Sequence, residues 1–96
     1  MQDVFKALSH PTRRAVLAHL RRGDATAGEL AALFDVSKPT MSRHFQVLRD
    51  AGLILCERRG TELGYSFHAS VAEEFLGVLA GLLGDASASR STNVVK

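Results

Sequence analysis

The sequence predicts a mainly α domain with a small β-hairpin, in the order four helices, two strands and one helix. Three observations predict it. Apolar residues recur at helical spacing in five segments, each bounded by a capping residue, a proline or a glycine. Between Leu53 and His68 the texture changes to two short extended runs around Gly60 and Gly64. Two of the helices are separated by a turn of only about three residues, which forces one sharply across the other.

The first helix carries Val4, Phe5 and Leu8 on one stripe, and Ser9-His10-Pro11 breaks it, because a residue before proline is pushed out of the α region. A second helix starts with Pro11 in its first turn and runs to about Arg22. Its apolar faces are Ala15, Val16, Leu17, Ala18 and Leu20, and Gly23 is its stop. Thr26-Ala27-Gly28-Glu29 is a capping box opening a short third helix expected to bury Leu30, Ala31, Leu33 and Phe34. Ser37 caps a fourth helix that runs to about Asp50 and ends at Gly52, with Pro39 tolerated in its first turn. Leu53 to Arg58 and Tyr65 to His68 are the strands, joined by a tip over Arg59–Gly64. Ser70-Val71-Ala72-Glu73 reads as a second capping box, opening a last helix that ends at Gly84. This order (ααααββα) is the layout of a winged helix-turn-helix.

Composition narrows the function classes. The 96 residues suit one domain with one core, and 46% hydrophobic with 23% charged residues suits a folded, soluble chain. So small a chain buries a modest fraction of its surface, and an oligomer is expected. A single cysteine excludes an internal disulfide framework and a four-cysteine zinc site, and fits a reducing cytoplasm. No apolar run approaches the roughly 20 residues of a membrane helix, and Met1-Gln2-Asp3 does not open a signal peptide. Net charge is only +2, but residues 36–60 hold Lys38, Arg43, Arg49, Arg58 and Arg59 against Asp50 and Glu57. Residues 61–85 carry acids alone. Cations gathered in one segment can present a basic face to an anion.

The fourth helix sorts into two faces. Met41, Phe45 and Leu48 recur at spacings of four and three and face the core, with His44 and Val47 on the flanks. The opposite stripe is Lys38, Pro39, Ser42, Arg43 and Gln46, short hydrogen-bonding groups and long cations with no acid among them. A helix fits the major groove of B-DNA, where Arg and Lys reach guanine and Gln pairs with adenine. Ser37 and Thr40 at its N-terminus are candidates for phosphate anchoring. Arg58 and Arg59 precede the hairpin tip, where a wing lies along DNA, although charges guarding an edge strand explain them nearly as well.

Phe5-Lys6-Ala7-Leu8-Ser9-His10-Pro11-Thr12-Arg13-Arg14, Ala27-Gly28-Glu29-Leu30-Ala31, Val36-Ser37-Lys38-Pro39-Thr40-Met41-Ser42-Arg43-His44-Phe45, Leu48-Arg49-Asp50-Ala51-Gly52-Leu53-Ile54, Arg58-Arg59-Gly60 and Tyr65-Ser66 stand in one register. Together they resemble the ArsR/SmtB family of bacterial winged-helix repressors over about residues 2–83. Val4 to Arg14, Gly23-Asp24, Ala27-Gly28 and Ser37-Lys38-Pro39 are most similar to its SdpR-like autorepressor branch. The resemblance implies a homodimer that binds a palindromic operator in double-stranded DNA and represses transcription, often of its own operon. The family's arsenic and cadmium sensors place cysteines in the helix before the turn, where this chain has Glu29-Leu30-Ala31-Ala32-Leu33-Phe34. Its zinc and nickel sensors use Asp, His and Glu on the last helix, which here holds Glu73 and Glu74 without histidine. Its persulfide sensors need two cysteines. The resemblance therefore implies a member with no metal, no cofactor and no dithiol switch.

The last helix is apolar beyond one core's needs, at Val71, Phe75, Val78, Leu79, Leu82 and Leu83, with Gly77 and Gly81 one turn apart. A partner helix across a two-fold axis, with Val4, Phe5, Leu8, Phe75, Val78, Leu79 and Leu82 at the interface, is the expectation. Cys56 reads as a small buried hydrophobe, and His10, His19, His44 and His68 show no metal-ligand spacing. Arg13 and Arg14 are expected to act structurally, by pairing with acids such as Asp3, rather than on DNA. The reading is a cytoplasmic, non-enzymatic repressor: residues 1–84 bind DNA and dimerise, and 85–96 form a flexible tail. The rival reading is an effector-gated sensor (small molecule, metal or redox) with a non-standard site, and a protein partner for derepression stays open.

Overall fold

The computed structural model describes residues 2–92, with side chains as far as Gly84. Its elements are α1 (Gln2–Leu8), α2 (Pro11–Arg22), β1 (Ala25–Thr26), α3 (Ala27–Leu33), α4 (Lys38–Asp50), β2 (Ile54–Arg59), β3 (Glu62–Phe67) and α5 (Ala69–Thr92, broken at Gly84). The order is the predicted one with one addition. β1 pairs antiparallel with β3 through Ala25↔Tyr65 and Thr26↔Gly64, so the sheet has three strands in the order β1-β3-β2. Two residues are too few to show a period-2 pattern, and the strand exists only because β3 lies beside it.

The helix ends follow local chemistry. Thr26 and Glu29 form both bonds of the capping box: Glu29 N donates to Thr26 Oγ1 at 3.0 Å and Thr26 N donates to Glu29 Oε1 at 2.8 Å. At the end of α4, Gly52 N donates to Arg49 O and Leu53 N to Leu48 O, the paired bonds of a Schellman motif. Gly52 takes φ 76°, and a Cβ there would meet Val71 Cγ2 at 3.0 Å, so both the backbone conformation and the close approach favour glycine.

Arg13 and Arg14 are structural, but not through Asp3. Arg13 donates from Nη2 to Lys6 O and from Nε to Ala7 O, both at 2.9 Å, while Arg14 Nη1 donates to Leu8 O at 2.7 Å. Two guanidinium groups of α2 thus satisfy the last carbonyls of α1, where the helix dipole favours a cation.

Several expectations need correction. β2 and β3 run closer to the turn than predicted, leaving a two-residue tip of Gly60 (φ 65°) and Thr61. Gly64 lies inside β3, where its lack of a Cβ leaves room for the Arg59 guanidinium. α5 begins at Ala69, so Ser70 sits inside the first turn instead of capping it. Leu33 is 55% exposed at the end of α3. Beyond the break at Gly84 (φ 35°) the backbone of positions 85–92 is helical, and the end of the expected tail, 93–96, lies outside the described residues.

The core lies between α2, α4 and the inner face of the sheet. Val16, Leu30, Met41, Leu48, Leu53 and Ile54 are fully enclosed, and the Phe45 ring packs on Tyr65 with centroids 4.6 Å apart. Among the described residues, α5 packs against this core through its first turns, at Val71, Ala72 and Phe75.

Candidate nucleic-acid interface

α4 is held by one face and open on the other. Met41, His44, Phe45 and Leu48 are buried, while Lys38, Pro39, Ser42, Arg43 and Gln46 are all exposed. Ser37 caps the helix, accepting from Thr40 N at 3.3 Å and donating its own hydroxyl to Thr40 Oγ1 at 2.9 Å. The two predicted phosphate anchors are therefore bonded to each other at the start of α4.

The stripe is not uniform. Gln46 donates from Nε2 to Asp50 Oδ1 at 2.8 Å and accepts at Oε1 from Arg49 Nη2 at 2.6 Å. Both ends of its amide are engaged, so Gln46 must exchange these bonds before it reads a base. Asp50 and Arg49 are missing from the sequence reading of this face, although their spacings of four and three from Gln46 are those of helix neighbours. Lys38, Ser42 and Arg43 carry no such bonds among the described residues.

His44 is the turning point between the two faces. It is 5% exposed, its Nδ1 lies 3.2 Å from Arg13 Nη1, and its ring packs against His10 at a centroid distance of 4.4 Å. Burial, then the charges of His10, Arg13 and Arg43, hold its imidazole below the usual histidine value. Burial and Arg43 likewise make Arg13 less basic than a free guanidinium.

The hairpin separates its two arginines. Strand alternation puts Arg58 on the face of Ile54 and Cys56, which turns toward α4, and Arg59 on the outer face with Leu55 and Glu57. Arg59 folds back over Gly64, with Nη2 at 3.5 Å from Asp24 Oδ2 and 4.0 Å from Glu57 Oε1. Arg58 is exposed and forms no ion pair among the described residues. On the inner face, Tyr65 lies across from Cys56 and is buried; burial, then Cys56, raises its phenol above the ordinary tyrosine value.

The surface expected at a dimer interface is only partly accessible. Phe5 packs edge-on against Phe75 at 5.1 Å, and Val78 and Leu82 are exposed beside half-buried Leu8, Phe75 and Leu79. Val4 is the exception. It is 3% exposed, turned inward beside Ala7 into the chain's own core by its place on the short α1. A Cβ at Gly77 or Gly81 would meet nothing within 4 Å, so neither glycine is required by packing within the chain. Among the described residues no three His, Cys, Asp or Glu gather as metal ligands, and no helix is long and apolar enough to cross a membrane.

Residues 8–57 match the family described as a helix-turn-helix domain. The transcriptional repressor SdpR of Bacillus subtilis is 43% identical over 74 residues, covering 77% of this chain and 82% of that repressor. The arsenic resistance transcriptional regulator ArsR1 of Pseudomonas putida is 35% identical over 81 residues, and this chain spans 63% of its length. An ArsR-like transcriptional regulator from Rhodococcus sp. RHA1 superposes with a TM-score of 0.82 at 26% identity, over 95% of this chain and 84% of that one. A second crystal structure, of an ArsR family transcriptional regulator, gives 0.81 at 36% identity over 84% and 89%. The chain belongs to the ArsR/SmtB family of winged helix-turn-helix transcriptional repressors.

Proposed function

We propose that this chain is a cytoplasmic, sequence-specific repressor that binds a palindromic operator as a homodimer, controls its own transcription, and does so without a metal switch. The observation that carries the reading is the exposed stripe of α4: Lys38, Pro39, Ser42 and Arg43 stand on a helix whose opposite side is locked into the core. Such a helix is rigid enough to present its side chains to base edges in a major groove. Arg43 and Lys38 read guanine, Ser42 donates or accepts, and Pro39 and Gln46 complete the surface. Ser37 and Thr40 order the end of the helix that meets phosphate, and Arg58 supplies the wing contact.

Dimerisation is supported by the apolar surface of α1 and α5, where Phe5, Leu76, Val78, Leu82 and Leu83 stand exposed on a chain of 96 residues. Two-fold pairing there would set two copies of α4 about 34 Å apart, one helical turn of DNA. Occupied operator then excludes polymerase. Autorepression is supported by the resemblance to the SdpR-like branch. Metal independence is supported by α3 (Ala27–Leu33), which holds no cysteine in the helix where the family's arsenic and cadmium sensors place theirs.

Fluorescence anisotropy with DNA from the chain's own upstream region, against scrambled DNA, across a salt series and with chelator, tests this reading. The expected result is a preference for the upstream DNA that weakens steeply with salt and ignores the chelator. Equal affinity for both DNAs overturns specific recognition, and a chelator effect overturns metal independence.

A further inference from the structure

We infer that Arg13 positions the DNA-reading helix through His44, and that this link opens when His44 takes up a proton, so that operator binding weakens as the solution becomes acidic. The inference rests on the DNA-binding reading of α4. One guanidinium joins three helices: Arg13 belongs to α2, holds the carbonyls of Lys6 and Ala7 on α1, and points Nη1 at His44 Nδ1 of α4, 3.2 Å away. Arg13 can only donate. His44 Nδ1 must therefore carry the lone pair, and the ring proton sits on Nε2.

The groups around His44 make that state hard to leave. From α2 Arg13 faces it, and from the N-cap of that helix His10, whose Nδ1 accepts from Thr12 N at 3.1 Å. On α4 itself, Arg43 adds a second permanent cation. From α1 the carbonyls of Lys6 and Ala7 are already taken by Arg13, and the side chains of Asp3 and Lys6 line a separate groove with Val47 and Asp50. The charges acting on the ring are thus all basic. A proton on Nδ1 would face Arg13 Nη1 donor to donor, ending the hydrogen bond and adding a like charge.

The sign follows. The folded chain holds His44 below its ordinary value of about 6.5, so the folded form excludes the proton that the open form accepts. The link is intact above that value and is lost progressively as pH falls below it. Because His44 directly follows Arg43 on α4, releasing it moves the helix that carries Lys38, Ser42 and Arg43.

This response runs against the ordinary one. Added positive charge by itself draws a protein toward DNA, so a loss of affinity in acid is not the generic effect. The experiment is anisotropy of the full chain with its upstream DNA at constant ionic strength, between about pH 7.5 and 5.5. Wild type is compared with His44→Gln, whose amide oxygen accepts from Arg13 but does not titrate. One proton changes an equilibrium at most tenfold per pH unit, so the expected loss in wild type is about three- to tenfold for each chain, about ten- to hundredfold for the proposed dimer, with the variant unchanged or tighter. Parallel profiles, or a wild type that tightens in acid, overturn the inference. Should His44→Gln fail to fold, nitrogen-15 spectra of the wild-type rings decide it. His44 protonated on Nε2 and titrating below the ordinary histidine value supports the link, while His44 protonated on Nδ1, or titrating at that value or above, refutes it. If no DNA preference exists even at neutral pH, the functional reading fails, and these ring spectra with the thermal midpoint across the same pH range still test the link.

Discussion

Separate alanine substitutions of Arg58 and Arg59 test the reading of the wing. Arg59 is already engaged, with Nη2 3.5 Å from Asp24 and 4.0 Å from Glu57, in pairs whose side chains are about half or more exposed. An ion pair that open to water is worth about 0–1 kcal/mol, so Arg59→Ala should lower the thermal midpoint slightly and leave DNA binding nearly intact. Arg58 has no such pairing among the described residues and stands on the face turned toward α4. If each wing neutralises one phosphate, a dimer loses two contacts in Arg58→Ala, and the slope of log affinity against log salt falls by about 1.8. Over a fourfold change in salt that is a difference of about twelvefold. Anisotropy titrations at four or five salt concentrations measure the slope directly. A slope unchanged in Arg58→Ala, or flattened equally by Arg59→Ala, refutes the assignment made from strand alternation.

The remaining predictions concern the helices and the sheet. Arg43→Ala should cost about 1–3 kcal/mol on the preferred operator and little on scrambled DNA; equal losses would show that Arg43 touches only phosphate. Leu82→Glu changes a residue 74% exposed, so the chain should stay folded by circular dichroism yet sediment as a monomer and lose operator affinity. A dimer that survives the change removes α5 from the interface. Thr26→Ala deletes one bond of the capping box and should cost about 1 kcal/mol in denaturant unfolding. Tyr65, its phenol raised first by burial, resists ionisation in the folded chain while an unfolded tyrosine ionises near 10. Stability should therefore be complete below about pH 10 and fall above it, and Tyr65→Phe should flatten that fall.

The two faces of α4 were legible because helical periodicity alone decides which residues share a side. Met41, Phe45 and Leu48 are inside and Lys38, Ser42 and Arg43 outside, as their spacing requires. The same locality explains Thr26-Glu29, Ser37 and Gly52, whose partners lie within five residues along the chain. The Gln46–Asp50–Arg49 bonds were equally local and readable, but escape any reading that considers only the residues on one stripe.

What the sequence by itself determined, then, is the order of the helices and of the hairpin strands, most of their ends and which face of α4 is buried, because each depends on neighbours within a turn or two. Tertiary structure alone decided which distant groups meet. Only packing puts Arg13 against His44 across 31 positions, Arg59 against Asp24, and Ala25 beside Tyr65. It also drew Val4 into the core and left Leu33 outside, two apolar residues on short helices whose surroundings are set by other elements. Local periodicity states that a side chain is apolar or charged and which way it faces. Its partner is chosen by where the rest of the chain folds back, and that choice separates Arg58, exposed on the face of Ile54 and Cys56, from Arg59, tied to Asp24.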